Sequence, residues 1–229
     1  MKYSAVIFDL FGTLVDSFSR PEYESVLVEM AAIVGIPRDK FVRLWLDTFQ
    51  ERNTGIHPTP QASIRYICRQ LDIAAADVTV EQAARVRLDY TALSLKPRPG
   101  NAEVLTRLRS EGYKTGLISD CTGDIPMVWE DTELAPLFDV TVFSCLAGIR
   151  KPDPRIYRLA TDRLAVPPQD CLYIGDGGSA ELTGAARVGM HPVLLRHPDD
   201  SVEPITVDRE EDWQGPVIST LQEVLTLLK

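Results

Sequence analysis

Val6-Ile7-Phe8-Asp9-Leu10-Phe11-Gly12-Thr13-Leu14-Val15-Asp16 is an apolar run that ends in a carboxylate and then turns through a glycine. The residues from Tyr3 to Phe8 are aromatic, β-branched or small, which predicts a strand buried on both faces of a sheet. Asp9 then falls at the carboxyl end of that strand, the edge where ligands bind in open α/β sheets. A carboxylate held there can attack an electrophile or bind a metal, while Gly12 and Thr13 supply a tight turn and a hydroxyl beside it. A turn Asp that merely closes a strand is the alternative use of the same residues.

Beyond Asp16 the pattern changes. Over 17–95 the apolar residues recur at helical spacing, as in Tyr23, Val26, Leu27, Met30 and Ile33, then Phe41, Leu44, Trp45 and Phe49. Breaks at Gly35-Ile36-Pro37, Asn53-Thr54-Gly55 and His57-Pro58-Thr59-Pro60 divide the stretch into four or five helices with no strand. Lys96-Pro97-Arg98-Pro99-Gly100 reads as the return linker. After Gly100, helices at 101–111, 153–164 and 180–188 alternate with strands at 114–119, 140–144, 171–175 and 192–195, which implies crossovers and a parallel sheet. The expected architecture is a Rossmann-like, doubly wound α/β core, 1–16 and 97–229, carrying an inserted all-helical cap, 17–96. The acidic stretch 199–214 reads as an exposed loop.

A chain of 229 residues can bury on the order of 70% of its unfolded surface, so no covalent staple is needed. Cys68, Cys121, Cys145 and Cys171 form no CxxC pair, as expected of reduced thiols in a cytoplasmic protein. The N-terminal apolar run is broken by Asp9, too short for a signal peptide, and no stretch approaches a membrane span. Lys and Arg number 24 against 33 Asp and Glu, a net charge of −9 that opposes a nucleic-acid partner. The expected partner is a small anionic substrate held by local positive groups, in a monomer or homodimer.

A parallel sheet brings its other strand ends to the edge that holds Asp9. Leu117-Ile118-Ser119-Asp120 places a hydroxyl after an apolar strand, where it can grip a phosphate-like oxygen or simply cap a helix. Lys151, in Arg150-Lys151-Pro152-Asp153-Pro154, can neutralise a nucleophilic carboxylate and an incoming anion. Tyr173-Ile174-Gly175-Asp176-Gly177-Gly178-Ser179-Ala180-Glu181 repeats the design of the first motif, with a second acid five residues on. Asp9, Asp176 and Glu181 together form an oxygen-rich cluster suited to Mg²⁺.

These four pieces, in this order, resemble the haloacid dehalogenase-like hydrolase superfamily, over the whole chain. The resemblance implies a Rossmann-like core with a mobile helical cap inserted after the first motif. It also implies Asp9 as a nucleophile forming an aspartyl intermediate, with Ser119 and Lys151 as ligands of the transferred group and Gly12, Thr13 and Asp120 beside it. Asp9, Asp176 and the backbone carbonyl of Phe11 then look like Mg²⁺ ligands, with Glu181 direct or through water. In the cap, Arg52 and Arg20 are candidates for contacting substrate anions, and His57 for donating a proton.

One position departs from the pattern. Phosphatases of the superfamily carry a second Asp two residues after the nucleophile, serving as general acid and base, and Phe11 stands there instead. General acid–base help is worth about 10²–10⁴-fold, so alkyl phosphates should be slow substrates and acyl phosphates should suffer least. Dehalogenases of the superfamily also lack that Asp and typically have an aromatic residue there, which makes 2-haloacid dehalogenation the alternative activity. They differ in placing Asn and Ser where this chain has Asp120 and Asp176. A catalytically silent member that binds a ligand or protein is the remaining expectation.

Overall fold

The computed structural model describes residues 3–198 and 213–228; positions 199–212 of the acidic stretch lie outside them. The strand predicted from the opening run is β1, Ala5–Phe8. Val6 and Phe8 enter one apolar cluster and Ala5 and Ile7 the other, so β1 is buried on both faces, the reason its sequence is continuously apolar. Around it run β2 (Lys114–Ser119), β3 (Val140–Phe143), β4 (Cys171–Gly175), β5 (His191–Leu195) and β6 (Val217–Ile218). The order is β3-β2-β1-β4-β5-β6, every pairing is parallel, and the fold is the expected Rossmann-like α/β sheet.

Five helices lie between β1 and the crossing back to the sheet at Pro97: α1 (Arg20–Val34), α2 (Arg38–Asp47), α3 (Phe49–Asn53), α4 (Pro60–Gln70) and α5 (Asp77–Ser94). They bury a core of their own, including Leu27, Met30, Phe41, Trp45, Ile64, Ile67 and Val80. Thr59 caps α4 by accepting from Ala62 N at 3.1 Å. Trp45 donates its indole N–H to the Tyr23 hydroxyl at 2.9 Å, satisfying a polar group that burial would otherwise penalise. The sheet is flanked by α6 (Asn101–Ser110), α9 (Pro154–Leu164) and α10 (Glu181–Arg187), with short helices α7 (Asp124–Val128), α8 (Ser144–Ala147) and α11 (Val224–Leu227).

The chain enters and leaves α1–α5 at one point. Val15 pairs antiparallel with Pro97, Arg98 N donates to Leu14 O at 2.9 Å, and Asn101 Nδ2 donates to the carbonyls of Thr13 and Leu14. Arg98 also meets Asp16 at 2.8 Å. Two crossings side by side form a narrow waist between the helices and the sheet. Farther out, Asp124 at the start of α7 binds Arg87 and Thr91 of α5.

That pair yields the first expected result. Arg87 and Asp124 are almost wholly buried, so Asp124→Ala leaves an orphaned cation and should cost about 3–5 kcal/mol in urea unfolding. Burial alone would raise the Asp124 carboxyl, but Arg87, Thr122, Thr91 and Arg52 outweigh it and hold it below its ordinary 3.8. A carboxyl lowered on folding contributes fully above its unfolded value and loses that contribution as the pH falls through the folded one. The difference between wild type and variant should therefore hold at neutral pH and shrink only below 3.8.

Candidate active site

Parallel register sets the site. Phe8 lies opposite Leu117 of β2 and Ile174 of β4, so the chain leaves all three strands at one level. Asp9 N donates to Ile174 O at 2.9 Å, which fixes the first residue beyond β1 against the end of β4. Gly12 then takes a φ of +76°, and a Cβ there would collide with the Asp176 carboxylate. Glycine is thus required twice over, by backbone conformation and by space.

Lys151 joins the loops. Its Nζ, 3% exposed, lies 2.5 Å from Asp9 Oδ1 and 2.6 Å from Glu181 Oε2. Burial disfavours the ammonium, but Asp9, Glu181 and Asp120 outweigh burial and raise its pKa well above the ordinary range. Glu181, fully buried at the start of α10, accepts from Tyr173 Oη at 2.7 Å through Oε2 and from Gly177 N at 3.0 Å through Oε1. Burial pushes its carboxyl up to about 8, against the pull of Lys151 and with Asp9 and Asp176 adding to the rise. Asp9, Asp176 and Glu181 can each present an oxygen within 4.8 Å of the others.

Ser119 ends β2 fully buried, and its hydroxyl has no hydrogen-bond partner among the described residues. The next residue, Asp120, accepts from Lys151 N at 3.0 Å, and burial raises its carboxyl above the ordinary value. Thr13 Oγ1 stands 3.4 Å from Asp9 Oδ2, a long contact. Asp9, Asp120, Lys151 and Asp176 all border one cavity of about 540 Å³ between the sheet edge and the helices. Phe11 also borders it, its ring 4.7 Å from that of Phe18, with Tyr23 and Phe49 on the helical side.

The sequence model of the haloacid dehalogenase-like hydrolases matches residues 3–189. The chain belongs to that family. It is a hydrolase by descent, and its relatives divide between two chemistries. It is 26% identical over 234 residues to a glyceraldehyde 3-phosphate phosphatase of Pyrococcus furiosus, covering 100% of this chain and 94% of the relative. It is 28% identical over 188 residues to the (S)-2-haloacid dehalogenase H-109 of Pseudomonas putida, covering 80% and 81%. A HAD phosphatase from Thermococcus onnurineus shares the fold at a TM-score of 0.66 and 24% identity, over 98% of this chain and 97% of that one.

The remaining candidates of this family member fall elsewhere. Arg52 does not border the cavity; it is 1% exposed behind the wall, donating to Trp45 O at 2.7 Å. Arg20 borders an adjoining cleft with Glu24 and Asp47, on the far side of Tyr23, Phe49 and Gln50, which line both spaces. His57 packs against Tyr66, ring centroids 4.5 Å apart and tilted by 38°, and does not border the cavity; burial lowers its pKa. Two basic cavity residues are not among the sequence candidates. Arg150 bonds Ser179 Oγ at 3.2 Å and also Gln50, and Arg87 approaches from α5. The basic run Arg150-Lys151 offered a signal for the first, whereas Arg87 looked like any polar position on a long helix. Among the described residues, no helix is long and apolar enough to cross a membrane.

Proposed function

We propose that the chain is a Mg²⁺-dependent phosphatase that uses Asp9 as nucleophile, on small phosphorylated metabolites whose leaving groups need no proton. The carrying observation is the cluster of three carboxylates, Asp9, Asp176 and Glu181, two of which, Asp9 and Glu181, bind one buried lysine, Lys151. Such crowding of acids is costly without a cation, and the donors are hard oxygens of the kind Mg²⁺ takes. Asp9 and Asp176 would hold the ion, with the Phe11 carbonyl completing the set. Both Glu181 oxygens already accept hydrogen bonds, which suits a role through water. Bound there, Mg²⁺ supplies charge neutralisation for the transferred phosphoryl group.

The chain's own residues do the rest. One Asp9 oxygen attacks phosphorus, the bond to the leaving oxygen breaks, and water later cleaves the resulting acyl phosphate. Lys151 orients Asp9 while the unpartnered Ser119 hydroxyl donates to a phosphoryl oxygen. Phe11 cannot move a proton, so leaving groups that depart as stable anions are favoured. Residues 17–96 act as a cap over the cavity, and the whole works on metabolites of the cytoplasm. Phe11 also supports a second reading, 2-haloacid dehalogenation, because halide leaves unprotonated; Asp120 and Asp176 oppose it by repelling a carboxylate substrate.

Phosphate release from acetyl phosphate tests the proposal. Turnover should require Mg²⁺ and fall more than about tenfold in EDTA, as expected for a metal that stabilises transition-state charge by several kcal/mol. Silence with and without metal, together with chloride release from 2-chloropropionate, would give the chain to the second reading.

A further inference from the structure

Two guanidinium groups are buried in the helical layer against the cavity wall. Arg87 is 1% exposed and gives Nε, at 2.9 Å, and Nη2, at 2.8 Å, to one oxygen of Asp124. Arg52 is buried to the same degree, and among the described residues no carboxylate lies within ion-pair distance of it. Each cation rests on a ring, Arg52 4.5 Å from the Trp45 centroid and Arg87 4.5 Å from that of Tyr23. Three nitrogens, Arg87 Nη1 and Arg52 Nε and Nη1, are buried with no acceptor.

Among the described residues, one carboxylate, Asp124, lies within ion-pair distance of these two cations, and it serves Arg87 alone, which leaves Arg52 without a direct counter-ion. Ring faces offset part of that cost, but a buried charge without a partner anion is among the most unfavourable features a fold can carry. The surplus is felt locally. Burial alone would raise the Tyr23 phenol, yet Arg87 and Arg52 outweigh it and hold it below its ordinary value. Arg87 borders the cavity that contains Asp9, flanked there by Phe18 and Tyr23. On the sheet side of the same cavity acids are in excess, Asp9, Asp120 and Asp176 against Lys151 and Arg150.

We propose that the Arg87 end of the cavity is a specificity site for a carboxylate carried by the substrate, joined to the transferred group by an apolar segment that lies against Phe18 and Tyr23. A monoanion balances a surplus of one charge, whereas a second phosphate would overcompensate it. The identity of the group at Asp9 rests on the phosphatase reading; the carboxylate site does not.

The test compares 3-carboxyphenyl phosphate with 3-carbamoylphenyl phosphate, a neutral analogue of the same shape whose phenolate leaves without needing Phe11 to act. Wild type should favour the carboxylate by about 30-fold in kcat/KM, the effect of one charge-assisted hydrogen bond. Calorimetry on Asp9→Asn, which holds either ester without turning it over, should give the same preference in Kd. Arg52→Met should shrink both preferences while the unliganded protein melts no lower, since an unpaired buried cation has gone. Arg87→Met combined with Asp124→Asn removes the pair together and should abolish the preference. Equal affinity for the two esters, or binding of neither, overturns the site whatever the rates are. Selective binding without turnover keeps it and removes the phosphatase reading, and unselective turnover does the reverse.

Discussion

Asp9→Asn should lower turnover of acetyl phosphate by at least about 10⁴-fold, the scale on which loss of a covalent nucleophile is felt. An amide oxygen accepts a hydrogen bond from Lys151 as the carboxylate does but is a far poorer nucleophile. Lys151 also keeps its 2.6 Å contact with Glu181, so the buried lysine is not orphaned. The variant should accordingly melt within a few degrees of wild type, a shift that corresponds to about 1 kcal/mol or less. The rate is read by phosphate release, and the covalent step by mass spectrometry of acid-quenched enzyme, where wild type alone should carry a phosphoryl adduct. Activity retained within tenfold, with folding intact, would falsify the assignment of Asp9 as nucleophile.

Asp9 could be found from sequence because its position follows from a strand pattern. A doubly buried parallel strand is continuously apolar, so its carboxyl end is visible as the first charge after the run. Ser119 and Asp176 are found at the ends of β2 and β4, and the sheet order β3-β2-β1-β4 sets one on each side of Asp9. Lys151 needed only the expectation that a carboxylate cluster has a cation, and it stands between Asp9 and Glu181. The helical layer behaves differently. A period of 3.6 residues says which face of α5 is buried, but not that Arg87 on it meets Asp124, 37 residues away. Nor does a basic residue beside the turn at Asn53-Thr54-Gly55 disclose its own burial, which rests on Trp45 and Phe49 folding under Arg52. Local pattern marks the strand ends; the helical side of the cavity is made by long-range packing that no local pattern encodes.

Phe11→Asp should raise kcat/KM for alkyl phosphates by about 10²-fold or more, within the range assigned to general acid–base catalysis, while acetyl phosphate changes by less than about fivefold. Phe11 borders the same cavity as Asp9 and follows it by two residues on a turn fixed by Leu14 N and Val15 N donating to Leu10 O. A carboxyl at that position lies beside the departing oxygen, and the ring of Phe18, 4.7 Å from the present ring, limits its access to water and favours its protonated form. An alkoxide leaves poorly without a proton, so the gain belongs to alkyl esters; a departing acetate needs none, so its rate has little to gain. The substitution also removes an aromatic contact with Phe18 and should cost about 1 kcal/mol of stability or somewhat more. The informative quantity is the ratio of the two gains. A uniform change for both substrate classes would mean that Phe11 shapes the cavity rather than withholding a proton, and the restriction on leaving groups would then have to come from the wall formed by Phe18 and Tyr23.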